Sequence, residues 1–151
     1  MIEIKKLTPA DLDDFISLIE IFKDVFEQKN PVPNKKHLVK LLKDEKFFVF
    51  VIKLNDIVIG GSSVHSLPSY YGQKPLAYIY DVGVSESFQG KGFGKKLITH
   101  ICEFFQQNNF ELAYVEAETD DIDAIAFYRK TNFSEELQAT HFTYQFNYPK
   151  I

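Results

Sequence analysis

The pattern of apolar and polar residues predicts a strand and then a helix at the start of the chain. Residues 2–7 alternate apolar and charged side chains, which is typical of a short strand with one buried face. Thr8, Pro9 and Asp11 are the residue types of a helix start: a capping hydroxyl, a proline at the first helical position and a returning carboxylate. Apolar residues then recur at helical spacing: Leu12, Phe15, Ile16, Ile19, Phe22 and Phe26.

The segment between residues 30 and 64 predicts a second helix and a β-hairpin. Two prolines follow the first helix and end it, and Asn34 can cap the next one. Two apolar runs, residues 47–54 and 57–64, flank an Asn-Asp pair that favours a tight turn.

The second half of the chain continues as alternating strands and helices. Residues 66–75 hold two prolines and a glycine and predict a loop, which is the best candidate for a functional loop. Residues 76–84 are apolar enough for a strand in the middle of a sheet. Beyond a glycine-rich segment, the pattern predicts a third helix, a strand at residues 112–117, a helix at 122–131 and one or two closing strands within 136–147.

This order of elements predicts a single α/β domain, 1–151, with a mixed central sheet. The net charge of −4 and the pI near 5.6 argue against a nucleic-acid partner, which favours a basic surface. The chain has no apolar stretch of the length that a signal peptide or a membrane-spanning helix needs. We therefore expect a cytoplasmic protein without nucleic-acid or membrane partners.

The cysteine and histidine residues offer little further chemistry. A single cysteine, Cys102, excludes an internal disulfide framework, and its place on the apolar side of the third helix predicts a core position. The four histidines show no ligand spacing, so we expect no metal site.

The glycine-rich segment is the first candidate for chemistry. Gly90, Gly92 and Gly94 stand at alternate positions just before the third helix, and lysines lie among and after them. A helix N-terminus carries unpaired N–H groups and a partial positive charge, and glycines let an anion approach the backbone. The dinucleotide fingerprint fails because position 95 is lysine, and the P-loop pattern also fails. A phosphate site and a glycine-rich turn without a ligand both remain open.

Two longer motifs resemble the GNAT family of N-acetyltransferases. The run Gln89-Gly90-Lys91-Gly92-Phe93-Gly94 matches the family's pyrophosphate loop, Gln/Arg-x-x-Gly-x-Gly/Ala, and DIDAIAFYRKTNF at residues 121–133 is similar to its tyrosine-helix segment. The resemblance implies an α/β GNAT fold: a mixed sheet of about six or seven strands flanked by about four helices. Within the family, the strings YIYDVGV, YVEAETDDIDAIAFY and HFTYQF look like type I aminoglycoside 3-N-acetyltransferases.

The resemblance implies acetyl-CoA as cosubstrate and assigns its binding residues. Backbone N–H groups of the loop would hold the pyrophosphate, and the strand at residues 82–84 would pair with the pantetheine arm, with an N–H near Val84 polarising the thioester carbonyl. Asp121 stands where the family commonly has Asn, which puts that contact with the cofactor arm in doubt. The implied cofactor residues are Val82, Gly83, Val84, Gln89, Gly90, Lys91, Gly92, Phe93, Gly94, Lys95 and Asp121.

The same resemblance implies two catalytic residues. Tyr128 occupies the position of the family's tyrosine, whose phenol can give a proton to the departing CoA thiolate. Asp81 ends the run Tyr-Ile-Tyr-Asp inside an apolar strand, where it either binds or deprotonates the amine or is a hydrogen-bonded structural carboxylate.

Acidic residues around position 118 suggest the kind of acceptor. Strand alternation would place Glu116 and Glu118 on one face, which could line a pocket for a polycation, although a solvated run of charges is the usual explanation. The predicted substrate contacts are Tyr80, Asp81, Glu118 and Asp120.

Taken together, these residues predict an acetyl-CoA-dependent enzyme that acetylates a primary amine of a small polycation, aminoglycosides first. A protein, peptide or small-metabolite amine acetyltransferase is the alternative, and a non-catalytic acyl-CoA-binding sensor is the second. The resemblance also allows a homodimer.

Overall fold

The computed structural model describes residues 1–147. Residues 1–116 form one unit of the chain and the residues from 117 onward form a second, and each is described by itself. The single domain of 1–151 predicted from the sequence stays a prediction. In the part of the chain that is described, no helix combines the length and the apolar character that a membrane span requires.

The first unit contains the predicted strands and helices in the predicted order. Its helices are α1 (Leu12–Val25), α2 (Lys35–Lys43) and α3 (Phe93–Gln107). Its strands are β1 (Ile2–Lys6), β2 (Phe47–Leu54), β3 (Ile57–Leu67), β4 (Leu76–Val84) and β5 (Leu112–Val115). Short 3₁₀ turns at Pro9–Asp11 and Glu86–Phe88 lead towards α1 and α3.

Both predicted helix caps are present, and each satisfies backbone groups at a helix start. The Thr8 hydroxyl accepts a hydrogen bond from the Ala10 N–H at 3.3 Å, while the Thr8 N–H donates to the Asp11 carboxylate at 2.8 Å. The Asn34 side chain accepts from the His37 N–H at 2.9 Å. These local interactions explain why the sequence predicts the helix starts well.

The five strands form one mixed sheet in the order β1-β2-β3-β4-β5. The pairs β1–β2, β2–β3 and β3–β4 are antiparallel. β5 runs parallel to β4, because α3 connects these two strands. The sheet therefore has β4 as an inner strand with one antiparallel and one parallel neighbour.

Helices cover both faces of this sheet. On one face, α1 packs on β2, β3 and β4 and α2 packs on β2, and the buried residues there include Leu18, Leu38, Val49 and Val51. On the other face α3 packs on β2, β3 and β4, with a buried cluster of Phe50, Val64, Ala77, Ile79, Leu97, Ile101 and Phe105. These faces are called the α1/α2 face and the α3 face below.

The second unit contains one helix, α4 (Ile122–Arg129), and no strand among its described residues. The prediction of one or two closing strands within 136–147, and with it a sheet of six or seven strands, is wrong for the described residues: the sheet has five. Alternating aromatics at Phe142, Tyr144 and Phe146 produce the strand-like pattern, but these side chains are 75%, 80% and 86% exposed. A strand forms only beside a hydrogen-bonding partner, which sequence alternation alone does not supply.

Close packing at one glycine yields a test of this fold. A methyl group on Gly61 would lie 2.2 Å from the Phe50 carbonyl oxygen and 2.8 Å from Leu18 of α1. We expect Gly61→Ala to lower the free energy of unfolding by about 2 kcal/mol, because the clash involves backbone that cannot move aside. Denaturant unfolding monitored by circular dichroism measures this change.

Gly72→Ala is the matched control, since a methyl group there meets nothing within 4 Å. Its free energy of unfolding should stay within about 0.5 kcal/mol of the original. Equal stability of the two variants would contradict the packing of α1 on β3.

Candidate active site

The candidate site begins where the pairing between β4 and β5 ends. The two strands pair only from Leu76–Leu112 to Ile79–Val115, whereas β4 continues to Val84. Beyond Ile79, β4 is paired with β3 alone among the described strands. Backbone groups in this stretch that point away from β3 therefore have no strand partner among the described residues, and this edge of β4 is called the opening below. A ligand amide can pair there with the groups that no side chain occupies.

The separation coincides with an irregularity in β4. Ser63 pairs with Asp81 and Val64 with Ile79, so Tyr80 is an extra residue without a partner in β3. The bulge is thus at Tyr80. Gly83 lies further along β4 and packs against α1, since a methyl group there would lie 3.1 Å from the Phe22 ring.

The glycine-rich segment forms the turn between β4 and α3. Gly90 and Gly92 have φ angles of +74° and +87°, a backbone region that side-chain-bearing residues seldom adopt. A Cβ built on either glycine meets nothing within 4 Å. The Gln89 side chain donates to the Val84 carbonyl oxygen at 2.8 Å, which ties the turn to the end of β4.

The chemistry of this turn fits a phosphate-bearing ligand. Gly92 is the N-cap of α3 and no side chain caps the helix, so the first N–H groups of a fifteen-residue helix lack side-chain partners. Lys91, Lys95 and Lys96 are exposed beside them. An open approach, free N–H donors and positive charge together suit the pyrophosphate of acetyl-CoA.

Asp81 lies half-buried on the α1/α2 face of β4. Its backbone N–H donates to the Ser63 hydroxyl at 3.4 Å. Burial raises the pKa of the Asp81 carboxyl above its ordinary value of 3.8, and the nearby His65 opposes that shift. A carboxyl with a raised pKa at the opening is a suitable proton acceptor for an amine.

Aromatic residues surround Asp81 on the same face. His65, Tyr78 and Tyr80 contact one another, with ring centroids of His65 and Tyr80 5.6 Å apart and of Tyr78 and Tyr80 5.8 Å apart. Tyr114 of β5 stacks on Tyr78 at 4.7 Å. The sequence predicted only Tyr80 and Asp81 for this surface. His65 and Tyr114 belong to this surface because of the residues that they pair with across strands, which the sequence does not show. The alternate spacing of Tyr78 and Tyr80 along β4 was a signal that could have placed both on one face.

The remaining predicted residues lie in the second unit. Asp121 is the N-cap of α4, and its carboxylate accepts from the Ala124 N–H at 3.1 Å, so part of its hydrogen-bonding capacity is used structurally. Tyr128 lies in the last turn of α4, half-buried, with its ring 4.9 Å from that of Phe127. Glu118 and Asp120 are exposed in the turn before the helix.

Two expectations about individual side chains are wrong. Because β5 ends at Val115, strand alternation does not extend to Glu118 and cannot place it on one face with Glu116. Cys102 is exposed and not part of the core, since it falls at the edge of the apolar face of α3, whose buried residues are Leu97, Ile98, Ile101 and Phe105.

Comparisons with known proteins agree with this geometry. The model of the acetyltransferase (GNAT) family matches residues 15–133, a span that includes residues of both units. An aminoglycoside acetyltransferase, meta-AAC0020, from an uncultured soil metagenomic sample has been crystallised with sisomicin. That structure is 42% identical in sequence, with a TM-score of 0.95 and 97% of each chain covered. A crystal structure of the same enzyme with trehalose gives 43% identity, a TM-score of 0.94 and the same coverage.

Curated relatives are more distant. An uncharacterized N-acetyltransferase of Methanocaldococcus jannaschii is 25% identical over 138 residues, which cover 87% of this chain and 60% of that protein. A mycothiol acetyltransferase of Saccharomonospora viridis is 36% identical over 66 residues, which cover 44% of this chain and 22% of that enzyme. This chain thus spans less than two thirds of the length of these curated relatives.

The burial of Asp81 predicts how stability responds to its removal. Because its pKa is raised in the folded state, its contribution to stability is greatest below the ordinary value of 3.8 and is lost as pH rises through the folded-state pKa. We expect Asp81→Asn to have a higher free energy of unfolding than the original protein near neutral pH. The difference should shrink in acid.

Urea unfolding across a pH series measures this difference, with Asp56→Asn as the matched control. Asp56 is exposed in the β2–β3 turn, where Asn also tolerates the observed φ of +67°. A loss of stability in Asp81→Asn at neutral pH would identify Asp81 as a structural carboxylate.

Proposed function

The chain belongs to the GNAT family of N-acetyltransferases, and on that premise we propose that it acetylates a primary amine of a small polycation, using acetyl-CoA. Aminoglycosides are the first acceptors to consider. The observation that carries this proposal is the half-buried Asp81 at the opening between β4 and β5, on a face lined by tyrosines. Support comes from meta-AAC0020, an aminoglycoside acetyltransferase that is 42% identical and was crystallised with sisomicin.

Acetyl-CoA supplies an activated acetyl thioester, and residues of this chain suit each part of the molecule. The N–H groups at the start of α3, with Gly90 and Gly92 leaving open space, suit the pyrophosphate. The stretch of β4 from Val82 to Val84, which no described strand pairs with on the side away from β3, suits the amides of the pantetheine arm. A backbone N–H near Val84 would then donate to the thioester oxygen as negative charge develops there.

Two side chains would move protons. An amine reaches the enzyme as an ammonium ion and must lose a proton before its nitrogen can attack. Asp81 would accept that proton, directly or through a water molecule. Tyr128 would donate a proton to the sulfur that leaves, as the resemblance to the family implies; this role is part of the proposal.

The function is tested by measuring CoA release from acetyl-CoA with a panel of amines. We expect turnover with aminoglycosides and polyamines and much slower turnover with amino acids and short peptides, because Asp81 and its aromatic surroundings suit compact cations. Turnover with peptides alone would contradict the proposed acceptor class. Tight binding of acetyl-CoA without turnover on any amine would instead identify a sensor.

The glycine turn is tested separately by Gly92→Asn. Asn tolerates a positive φ, so the turn should persist, but its side chain would fill the open space at the start of α3. We expect the dissociation constant of acetyl-CoA to rise roughly tenfold or more, which corresponds to about 1.4 kcal/mol. Isothermal titration calorimetry measures it.

Gly72→Asn makes the same chemical change in the loop between β3 and β4, also in open space. It should bind acetyl-CoA as the original protein does. If Gly92→Asn also bound normally, the pyrophosphate would have to lie elsewhere.

A further inference from the structure

A tyrosine–carboxylate pair connects β4 and β5 at the edge of the opening. The Tyr78 hydroxyl donates to Oε1 of Glu116 at 3.0 Å. The Tyr78 and Tyr114 rings are stacked, with centroids 4.7 Å apart and an angle of 10° between their planes. We call the group of Tyr78, Tyr114 and Glu116 the Tyr78 clamp.

The clamp lies on the α1/α2 face, beside Asp81. Tyr78 pairs with His65 on one side and with Tyr114 on the other, while Asp81 pairs with Ser63 further along β4. Glu116 directly follows the last residue of β5, where that strand stops pairing with β4. Adjacent strands are about 4.8 Å apart, and Glu116 directly follows β5 while Asp81 is two residues beyond the last paired residue of β4. We therefore expect the two carboxylates to lie within reach of one small molecule.

The Tyr78 hydroxyl holds the Glu116 carboxylate in place. Burial, and then the hydrogen bond to Glu116, raises the pKa of Tyr78 to about 12, so the phenol keeps its proton at any physiological pH. Its donated hydrogen bond holds one carboxylate oxygen of Glu116. No hydrogen bond within residues 1–147 occupies the other oxygen, Oε2, and Glu116 is exposed.

We propose that Glu116, positioned by the Tyr78 hydroxyl, binds a second, non-reacting ammonium group of the acceptor while the reacting amine lies at Asp81. This inference rests on the proposed function and deepens it: the preferred acceptor carries at least two amines close together, as on one sugar or cyclitol ring. Tyr78 is a positioning residue, and Glu116 a specificity-determining one.

The surrounding rings strengthen the selection for cations. Tyr78, Tyr80 and Tyr114 form a connected aromatic group on the same face as the two carboxylates. Aromatic faces attract ammonium groups, and the polar hydroxyls suit the many hydroxyl groups of a sugar. An acceptor with a single amine would leave the Glu116 carboxylate without an ionic partner and would therefore bind with lower affinity.

The test compares two acceptors in steady-state kinetics: the aminoglycoside sisomicin, which has several amines, and glucosamine, which has one. In Glu116→Gln we expect the KM for sisomicin to rise about tenfold, the usual effect of losing a charged hydrogen-bond partner, with kcat and the KM for acetyl-CoA unchanged. The KM for glucosamine should change less than twofold. Tyr78→Phe should shift the KM for sisomicin in the same direction by about threefold, since the carboxylate remains but is no longer held.

Two matched controls separate these effects from general changes of charge and shape. Glu103→Gln removes one exposed carboxylate from α3, and Tyr144→Phe removes an exposed phenol; neither should alter any kinetic constant. A merely structural hydrogen bond between β4 and β5 predicts a different result: lower thermal stability in Tyr78→Phe and equal changes for both acceptors. That result would overturn the inference.

Calorimetric binding of sisomicin distinguishes failure of the inference from failure of the proposed function. If the original protein acetylates sisomicin and Glu116→Gln does so with the same KM, the inference is wrong and the function stands. If the original protein binds sisomicin through Glu116 but acetylates no amine, the transferase function is wrong and the site stands. If it neither binds nor acetylates sisomicin, both are wrong.

Discussion

The end of the pairing between β4 and β5 after Ile79 and Val115 is the constraint on which the candidate site depends. An inner strand normally has both edges hydrogen-bonded, and an unpaired edge inside a sheet is costly unless water or a ligand meets it. Here the unpaired stretch leads directly into the glycine turn and the start of α3. The backbone donors proposed for a thioester arm and for a phosphate thus lie in one continuous segment, residues 82–95.

α1 packs closely against β3 and β4 next to this segment. Gly61 and Gly83 pair across β3 and β4, and their missing side chains let Leu18 and Phe22 of α1 lie directly on the sheet. Further along the same face the side chains are His65, Tyr78, Tyr80 and Asp81, of which only Tyr80 is exposed and the others are half-buried. One face of the two strands therefore changes within a few residues from a surface that supports α1 to a partly exposed polar surface.

Local signals account for what the sequence predicted well. The hydrogen bonds of the Thr8 and Asn34 caps join residues only a few positions apart, so both helix starts could be predicted. The spacing of apolar residues in α1 and α3 indicates one buried face on each helix, so these helices could be predicted as well. Interactions between distant segments could not be. The contact of Tyr78 with Glu116 joins residues 38 positions apart and depends on the β4–β5 register. The strand-like aromatics between 142 and 146 show the converse error, a local pattern without a partner.

The first unit also separates its charges in a way that would suit the two oppositely charged substrates of the proposed reaction. Lysines flank the glycine turn after β4, whereas Asp81 and Glu116 lie on the α1/α2 face before it. If an anionic cosubstrate and a cationic acceptor entered by one route, charged groups that attracted one of them would repel the other. Positive charges after β4 and carboxylates on the α1/α2 face would instead attract each proposed substrate to its own side, and screening over about 8 Å at physiological salt would limit their interference. The acetyl group and the amine would then need to meet only at the opening, where the half-burial of Asp81 would strengthen its interaction with the proposed ammonium ion.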